Sequence, residues 1–369
     1  MAKYRFDQVA RECRTTFKGD KNGMPIVGLE HLVPNEMLVR DFEVDTENTF
    51  TKSFKQGQIL FGRRRAYQQK AGVAQFDGIC SGDITVIEAI PGKIEPNLLP
   101  FIVQNEQFFE HAIQGSAGSL SPRVKWEHLA SYEIELPTME KQRVLADKLW
   151  TAYRLKESYK KLLAATDEMV KSQFIEMFGN CQQVEKLSSL CDTFIDGDWI
   201  ESKDQSDEGI RLVQTGNVGN GFFKGKEDKC RFISDETFDR LHCTEIFSGD
   251  ILVSRLPDPI GRACMIPNGL GRMITAVDCC IIRLKESILA DFFIAYTMTP
   301  NYSAQINEVT TGTTRRRVSR ANLGNVKVPV PQIDKQKLFV SISEQADKSK
   351  LTGHCLICVL NNGISKLIN

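Results

Sequence analysis

Residues 138–178, between Pro137 and Gly179, contain neither proline nor glycine. Either would cost a helix interior free energy, about 3 kcal/mol for proline and about 1 kcal/mol for glycine relative to alanine. Apolar side chains recur at Leu145, Leu149, Ala152, Tyr159, Leu163, Val170 and Met177, at steps of four, three, seven, four, seven and seven. That is one seam of a heptad pattern, with Lys156, Thr166 and Gln173 as polar interruptions. Pro137 ends the strand-like run Tyr-Glu-Ile-Glu-Leu, and Gly179-Asn180 is a stop signal. The pattern predicts a single helix roughly 60 Å long at about 1.5 Å per residue. A long amphipathic helix inside one large domain is the plainer explanation. What flanks it favours a rod separating two bodies.

What flanks it is a repeat. Gly118 and Gly312 stand 194 residues apart, and that offset holds without a gap to Gln142 and Gln336. It pairs Arg123 with Arg317, Val124 with Val318, Leu129 with Leu323, Pro137 with Pro331 and Lys141 with Lys335. Upstream, Gly57-Gln-Ile59-Leu60-Phe-Gly-Arg63 answers Gly249-Asp-Ile251-Leu252-Val-Ser-Arg255 at an offset of 192. Asp83-Ile-Thr-Val-Ile answers Asp278-Cys-Cys-Ile-Ile. The chain therefore reads as two copies of one unit, each a mixed domain followed by a helix. The expected fold class is α+β, with two tandem mixed α/β domains. Their bounds are 1–137 and 181–331, with long helices at 138–180 and 332–369.

Residues 1–50 mix short apolar runs with turn residues and read as short strands. A strand from Phe54 to Leu60 delivers Arg63, Arg64, Arg65, Tyr67, Gln68, Gln69 and Lys70 into a loop. These are residue types that contact phosphates and base edges, although a charge run is often just a solvated loop. Val73 to Ile90 reads as strands broken by Gly72, Gly78 and Gly82, and Pro100 to Ile113 as helix. Gly115 to Val124 is a turn of small residues that brings in Arg123. In the second copy, Val184–Leu190 opens the domain and Ile210–Gly216 reads as a strand and a turn. Arg255 and Arg262 bracket a Pro/Gly loop at the place of the first arginine loop. Arg315, Arg316 and Arg317 lie among small hydroxyl residues, which suits charge-assisted phosphate contacts or salt bridges to an acidic partner. Arginine loops in both domains favour DNA contact over solvated loops. The candidate DNA-contacting residues are Arg63, Arg64, Arg65, Tyr67, Lys70 and Arg123, with Arg255, Arg262, Arg315, Arg316 and Arg317.

Composition narrows the classes. The chain has 369 residues, enough for two to three domains with their own cores. Its 47 Lys+Arg balance 47 Asp+Glu, so any nucleic-acid binding must come from local clusters. Neither an apolar leader nor a run long enough to cross a bilayer is present, and the eleven cysteines follow no disulfide framework. A cytoplasmic protein with reduced thiols is expected.

Catalytic motifs fail one by one. Gly221-Phe-Phe-Lys-Gly-Lys-Glu227 resembles a phosphate loop but has Asn220 where glycine is needed and Glu227 in place of Ser/Thr. The glycines of Gly216–Gly221 are wrongly spaced for a dinucleotide fold, and the five histidines form no ligand pair. Cys355 and Cys358 beside His354 lack a second pair, so unliganded thiols are expected rather than zinc. Neither an amino-methyltransferase motif nor a nuclease core at usable spacing is present. Neither catalytic nor metal-ligating residues are assigned.

Two unlike domains, each followed by a similar helix, resemble the specificity subunit of type I restriction–modification systems. The segments that carry the resemblance are Gly57–Tyr67, Ile79–Asp83, Gly118–Val124, Leu136–Gln142 and Lys171–Gly179 in the first copy. In the second they are Gly249–Arg255, Thr311–Val318 and Val330–Gln336. The resemblance implies that each domain is a target-recognition domain reading half of a split double-stranded DNA sequence. It implies that the helices pair as an antiparallel coiled-coil spacer and dock two methyltransferase subunits. Those partners would bind S-adenosylmethionine, and separate motor–nuclease subunits would use ATP and Mg; this chain would hold no cofactor. One departure concerns the second helix. After Lys350 the charge pattern is lost and Gly353 and Gly363 intervene, so a truncated or altered distal helix is expected. A non-catalytic scaffold that holds protein partners without DNA sequence preference is the alternative.

Overall fold

The computed structural model describes residues 2–313 and 315–368. The chain divides into two compact units, Met1–Lys160 with His354–Asn369, and Lys161–Gly353. The division falls inside both long helices.

The first unit is built on a five-stranded sheet ordered Ala10–Glu12, Ile84–Ala89, Ile59–Gly62, Ala71–Ala74 and Leu38–Val39. Its central strands are apolar on both faces because both are covered. Ile59, Phe61 and Ile87 face a core with Phe6, Phe101, Phe108 and Phe109, whereas Leu60 and Val86 face a second cluster with Val27, Leu32 and Phe54. This is the period-two alternation of a strand with two buried sides. A side sheet carries Ile26–Val27, Gly78–Cys80 and Lys52–Phe54.

Gly72 lies inside a strand, not at a break, and Gly78 is the first residue of the next one. A Cβ on Gly72 would come within 2.9 Å of Val39 Cγ2, and one on Gly78 within 2.5 Å of the Pro25 carbonyl oxygen. Glycine here allows close approach, which a reading of glycine as punctuation misses. The helical stretch near residue 100 splits into Leu99–Val103 and Glu106–Gln114. The Asn105 side chain, which accepts from Gln107 N at 2.8 Å, caps the second piece.

The second unit repeats this plan. Its four-stranded sheet runs Cys191–Asp196, Cys279–Leu284, Ile251–Ser254 and Ala263–Met265. Ile251 and Val253 face the larger core with Phe292 and Tyr302, and Leu252 faces a second cluster with Cys264 and Ile281. A strand pair closes each unit, Ala2–Arg5 with Glu133–Leu136 in the first and Val184–Lys186 with Lys327–Pro329 in the second.

The first long helix spans Met139–Phe178. Every position of its predicted seam, the three polar interruptions included, is at least partly shielded, with Leu149 and Val170 buried. Ala146, Tyr153, Phe174 and Phe178 join the buried face. Gln142, 2% exposed, ties the helix start to the first unit by accepting from Glu95 N at 2.9 Å and donating to the Pro137 carbonyl at 2.9 Å. Gln336 does the same in the second unit, with Leu289 N at 2.9 Å, the Pro331 carbonyl at 2.8 Å and the Ser287 carbonyl at 3.0 Å.

The second long helix corrects the expectation of truncation after residue 350: it runs unbroken over Ile333–Ile368. Packing outweighs glycine's poor helix propensity here. A Cβ on Gly353 would sit 3.0 Å from Leu163 Cδ2, so the bare position lets the two helices approach within the second unit. Lys350 pairs with Asp167 at 2.8 Å nearby, which makes the helices antiparallel there. In the first unit Ile364 packs against the core that contains Tyr153. Among the described residues no helix is long and apolar enough to cross a membrane.

Candidate nucleic-acid interface

Each unit has a backbone hub centred on an arginine at the end of an inner strand. In the first, Arg63 N donates to the Asp83 carbonyl at 2.9 Å and the Arg63 carbonyl accepts from Val124 N at 3.0 Å. In the second, Arg255 N donates to the Asp278 carbonyl at 2.9 Å and its carbonyl accepts from Val318 N at 3.2 Å. These are the residues the repeat pairs in sequence. Three segments distant in the chain thus converge at corresponding places, and the turn before Val124 or Val318, which brings in Arg123 or Arg315, Arg316 and Arg317, lies beside the strand end.

In the first unit the hub is dressed with cations. Arg63, Arg64 and Arg65 are half-exposed, and Tyr67 is 56% exposed. Arg123 joins them through a bridge between its backbone and that of Arg64. Asp83 is held between two guanidinium groups: Arg123 Nε donates to it at 2.6 Å, and Arg64 Nη1 lies 3.5 Å away. The hydrogen bond from Arg123, followed by the charges of both arginines, holds the Asp83 carboxyl below the usual carboxylate range. Arg64 also donates to Ser121 Oγ at 3.0 Å. Lys70 turns inward and donates to the Leu29 carbonyl at 2.7 Å. An open cleft of about 780 Å³ beside the hub is lined by Arg63, Asp83, Lys52, Lys125 and Trp126, among others.

The second unit differs. Arg255, expected from sequence to contact DNA, is 5% exposed. Its Nη2 donates to the Val277 carbonyl at 2.7 Å, and its Nε faces Asp196 at 3.3 Å. That separation suits charge attraction, but the pair is not aligned for a hydrogen bond, since both atoms lack one. Burial removes Arg255 from the accessible surface and makes it a structural residue. Arg262 is half-buried and donates to Ser254 Oγ at 3.2 Å. Arg315, Arg316 and Arg317 are exposed, with Arg316 3.7 Å from Asp258. Thr314, within that segment, lies outside the described residues. The structure therefore joins Arg64 and Arg123 through Asp83, keeps Arg63 at the hub and ties Arg65 by its backbone to Pro122, whereas Lys70 and Arg255 are bonded to carbonyls of the chain itself.

Shielded side-chain donors normally find partners. The Nε atoms of Arg63, Arg64, Arg65, Arg255 and Arg262 find none within the chain. These five account for most of the shielded, unpartnered side-chain atoms among the described residues. Native structure is thus least satisfied where the arginines cluster.

Several candidates escaped the sequence reading. Leu120 is 89% exposed in the turn before Arg123, Trp199 is 70% exposed in the second unit, and Phe222 is 58% exposed with Lys224 over its ring at 5.8 Å. Nothing in the local sequence separates an exposed aromatic or leucine from a core residue.

The comparisons with known proteins follow the duplicated plan. The model of the type I restriction modification DNA specificity domain matches residues 9–165 and again 182–355. The EcoDI type I restriction enzyme specificity subunit of Escherichia coli is 23% identical over 186 residues, which cover 47% of this chain and 40% of that relative. The aligned region is thus less than half that relative's length. A chain from a structural study of type I restriction–modification complex assembly and conformational transition superposes with a TM-score of 0.60 at 17% identity, covering all of this chain and 96% of that one. The type I restriction–modification S subunit of M. genitalium superposes with a TM-score of 0.53 at 13% identity, over all of this chain and 94% of that one. At these identities the structures speak to fold alone, and it is the two family matches, covering most of the sequence, that assign membership. The chain belongs to the type I restriction modification DNA specificity family, with two copies of its domain.

Proposed function

We propose that the chain is the address-giving subunit of a type I restriction–modification complex, in which each unit reads one half of a split double-stranded DNA target. The carrying observation is the repeated backbone hub with unlike side chains around it. A scaffold used twice to present two different cationic loop sets suits the reading of two different half-sites. Arg63, Arg64, Arg65, Tyr67 and Arg123 would contact the first half-site, and Arg262 with Arg315, Arg316 and Arg317 the second. Guanidinium groups serve both phosphate contacts and bidentate contacts to guanine.

In this reading the chain performs no chemistry. Methyl transfer from S-adenosylmethionine belongs to two methyltransferase subunits, and ATP- and Mg-dependent translocation and cutting to motor–nuclease subunits. The test exchanges residues 181–331 for the corresponding segment of another family member, followed by mapping of methylated sites in the complex co-expressed with its methyltransferase. One half of the recognised sequence should change. A change in both halves, or in neither, refutes the reading.

A further inference from the structure

Leu120 is the most exposed large hydrophobic side chain among the described residues, at 89%. A single exposed leucine is ordinary on a protein surface. This one differs in how it is held and in what surrounds it. It sits at the tip of the hairpin formed by Ser116–Ala117 and Arg123–Val124, after Gly118 with a φ of 116°. The hairpin is fastened on the tip's C-terminal side. Arg64 Nη2 donates to Ser121 Oγ at 3.0 Å, Arg65 N donates to the Pro122 carbonyl at 2.8 Å, and the backbones of Arg64 and Arg123 are bridged. An apolar residue at this position is not kept by the repeat, which pairs Leu120 with Thr314 in sequence. The surroundings are cationic: Arg64 and Arg123 share one acidic partner, Asp83, and Arg63 and Arg65 adjoin Arg64 in the chain. An apolar tip flanked on its C-terminal side by arginines matches a duplex, with its stacked bases between phosphate rows, better than it matches a protein surface.

We propose that Leu120 is a wedge that enters a base step of the first half-site and partly unstacks it, while the surrounding arginines grip the flanking phosphates. The inference rests on the DNA-reading function proposed above. Apolar wedges of this size kink duplexes by about 20–90° at the cost of unstacking. That cost is lowest at pyrimidine–purine steps, so Leu120 selects sequence through deformability, without a hydrogen bond to any base.

The test uses the full chain in complex with its methyltransferase. 2-Aminopurine replaces, one at a time, each purine of the first half-site except the methylated adenine, and binding is measured in the same titrations. One step should brighten with the native chain, stay bright with Leu120→Met and go dark with Leu120→Ser. A stiff step placed at that position should weaken the native chain about tenfold and leave Leu120→Ser nearly unaffected. Sequence-specific binding without brightening at any step, or brightening that persists in Leu120→Ser, overturns the wedge and leaves the functional reading intact. Loss of methyltransferase assembly in Leu120→Ser, with brightening unchanged, makes the leucine a protein contact and overturns the wedge. Absence of sequence-specific binding by the native complex overturns the functional reading and the wedge together.

Discussion

Arg63 and Arg255 occupy the same place in the repeat and make the same backbone bonds, yet one side chain borders an open cleft and the other is buried against Asp196 and Val277. The glutamines at the start of the two long helices show the opposite behaviour: Gln142 and Gln336 keep both their backbone partners and their burial. Positions that hold the framework together are thus constrained in backbone and side chain alike. At the arginine hub only the backbone is constrained, which leaves the side chain free for different work in each unit.

The largest effect is expected at the shared glutamines. Replacing Gln336 by alanine strands Leu289 N and two carbonyls and opens a hole, which should destabilise the chain by about 3 kcal/mol. Gln142→Ala should cost somewhat less, about 2 kcal/mol, because one partner fewer is stranded. Denaturant unfolding measures both; costs below 0.5 kcal/mol would dissolve the idea of a common framework.

Next come the two arginines. Arg255→Ala should destabilise by about 2 kcal/mol. That lies below the usual cost of breaking a buried pair, because Asp196 is part-exposed and retains Arg320 at 3.7 Å. Arg63→Ala should leave unfolding nearly unchanged and weaken DNA binding by about 1–3 kcal/mol. Equal behaviour of the two variants in both assays would break the contrast.

The turns before Val124 and Val318 offer a smaller test. Gly118 and Gly312 have φ values of 116° and 97°, where a side chain is strained, and a Cβ on Gly312 would also meet the Arg315 carbonyl at 2.7 Å. Gly312→Ala should cost about 1.5 kcal/mol and Gly118→Ala about 1 kcal/mol by thermal unfolding. The reverse order would show that the hairpins are held differently from this description.

The smallest effect concerns pH. The Asp83 carboxyl lies below its ordinary value because Arg123, and then Arg64, favour the charged form. Its contribution to stability is therefore complete above the unfolded value near about 4, and is lost as pH falls through the lower folded value. The stability gap between the native chain and Asp83→Asn should be constant from neutral pH to about 5 and close on further acidification. A gap that widens in acid would reverse the assigned sign.

Periodicity and register were legible in the sequence because both are local or additive properties. Seven apolar positions between Leu145 and Met177 were enough to define a helix and its inward face, since every such position is now shielded. The repeat located the arginine hubs because backbone pairing follows the strand and turn residues that the two copies share. The fate of a side chain is different, for it depends on neighbours remote in the chain. Arg255 is buried because Asp196 and Val277 meet it from other segments, and Gly353 stays helical because Leu163 packs over it. Leu120 is exposed because the folded hairpin holds it clear of every core. The amino-acid sequence by itself determined the two-copy plan and the first long helix. Only the tertiary structure decided which arginines remain available to a partner and which hold the protein together, because burial is a property of converging segments.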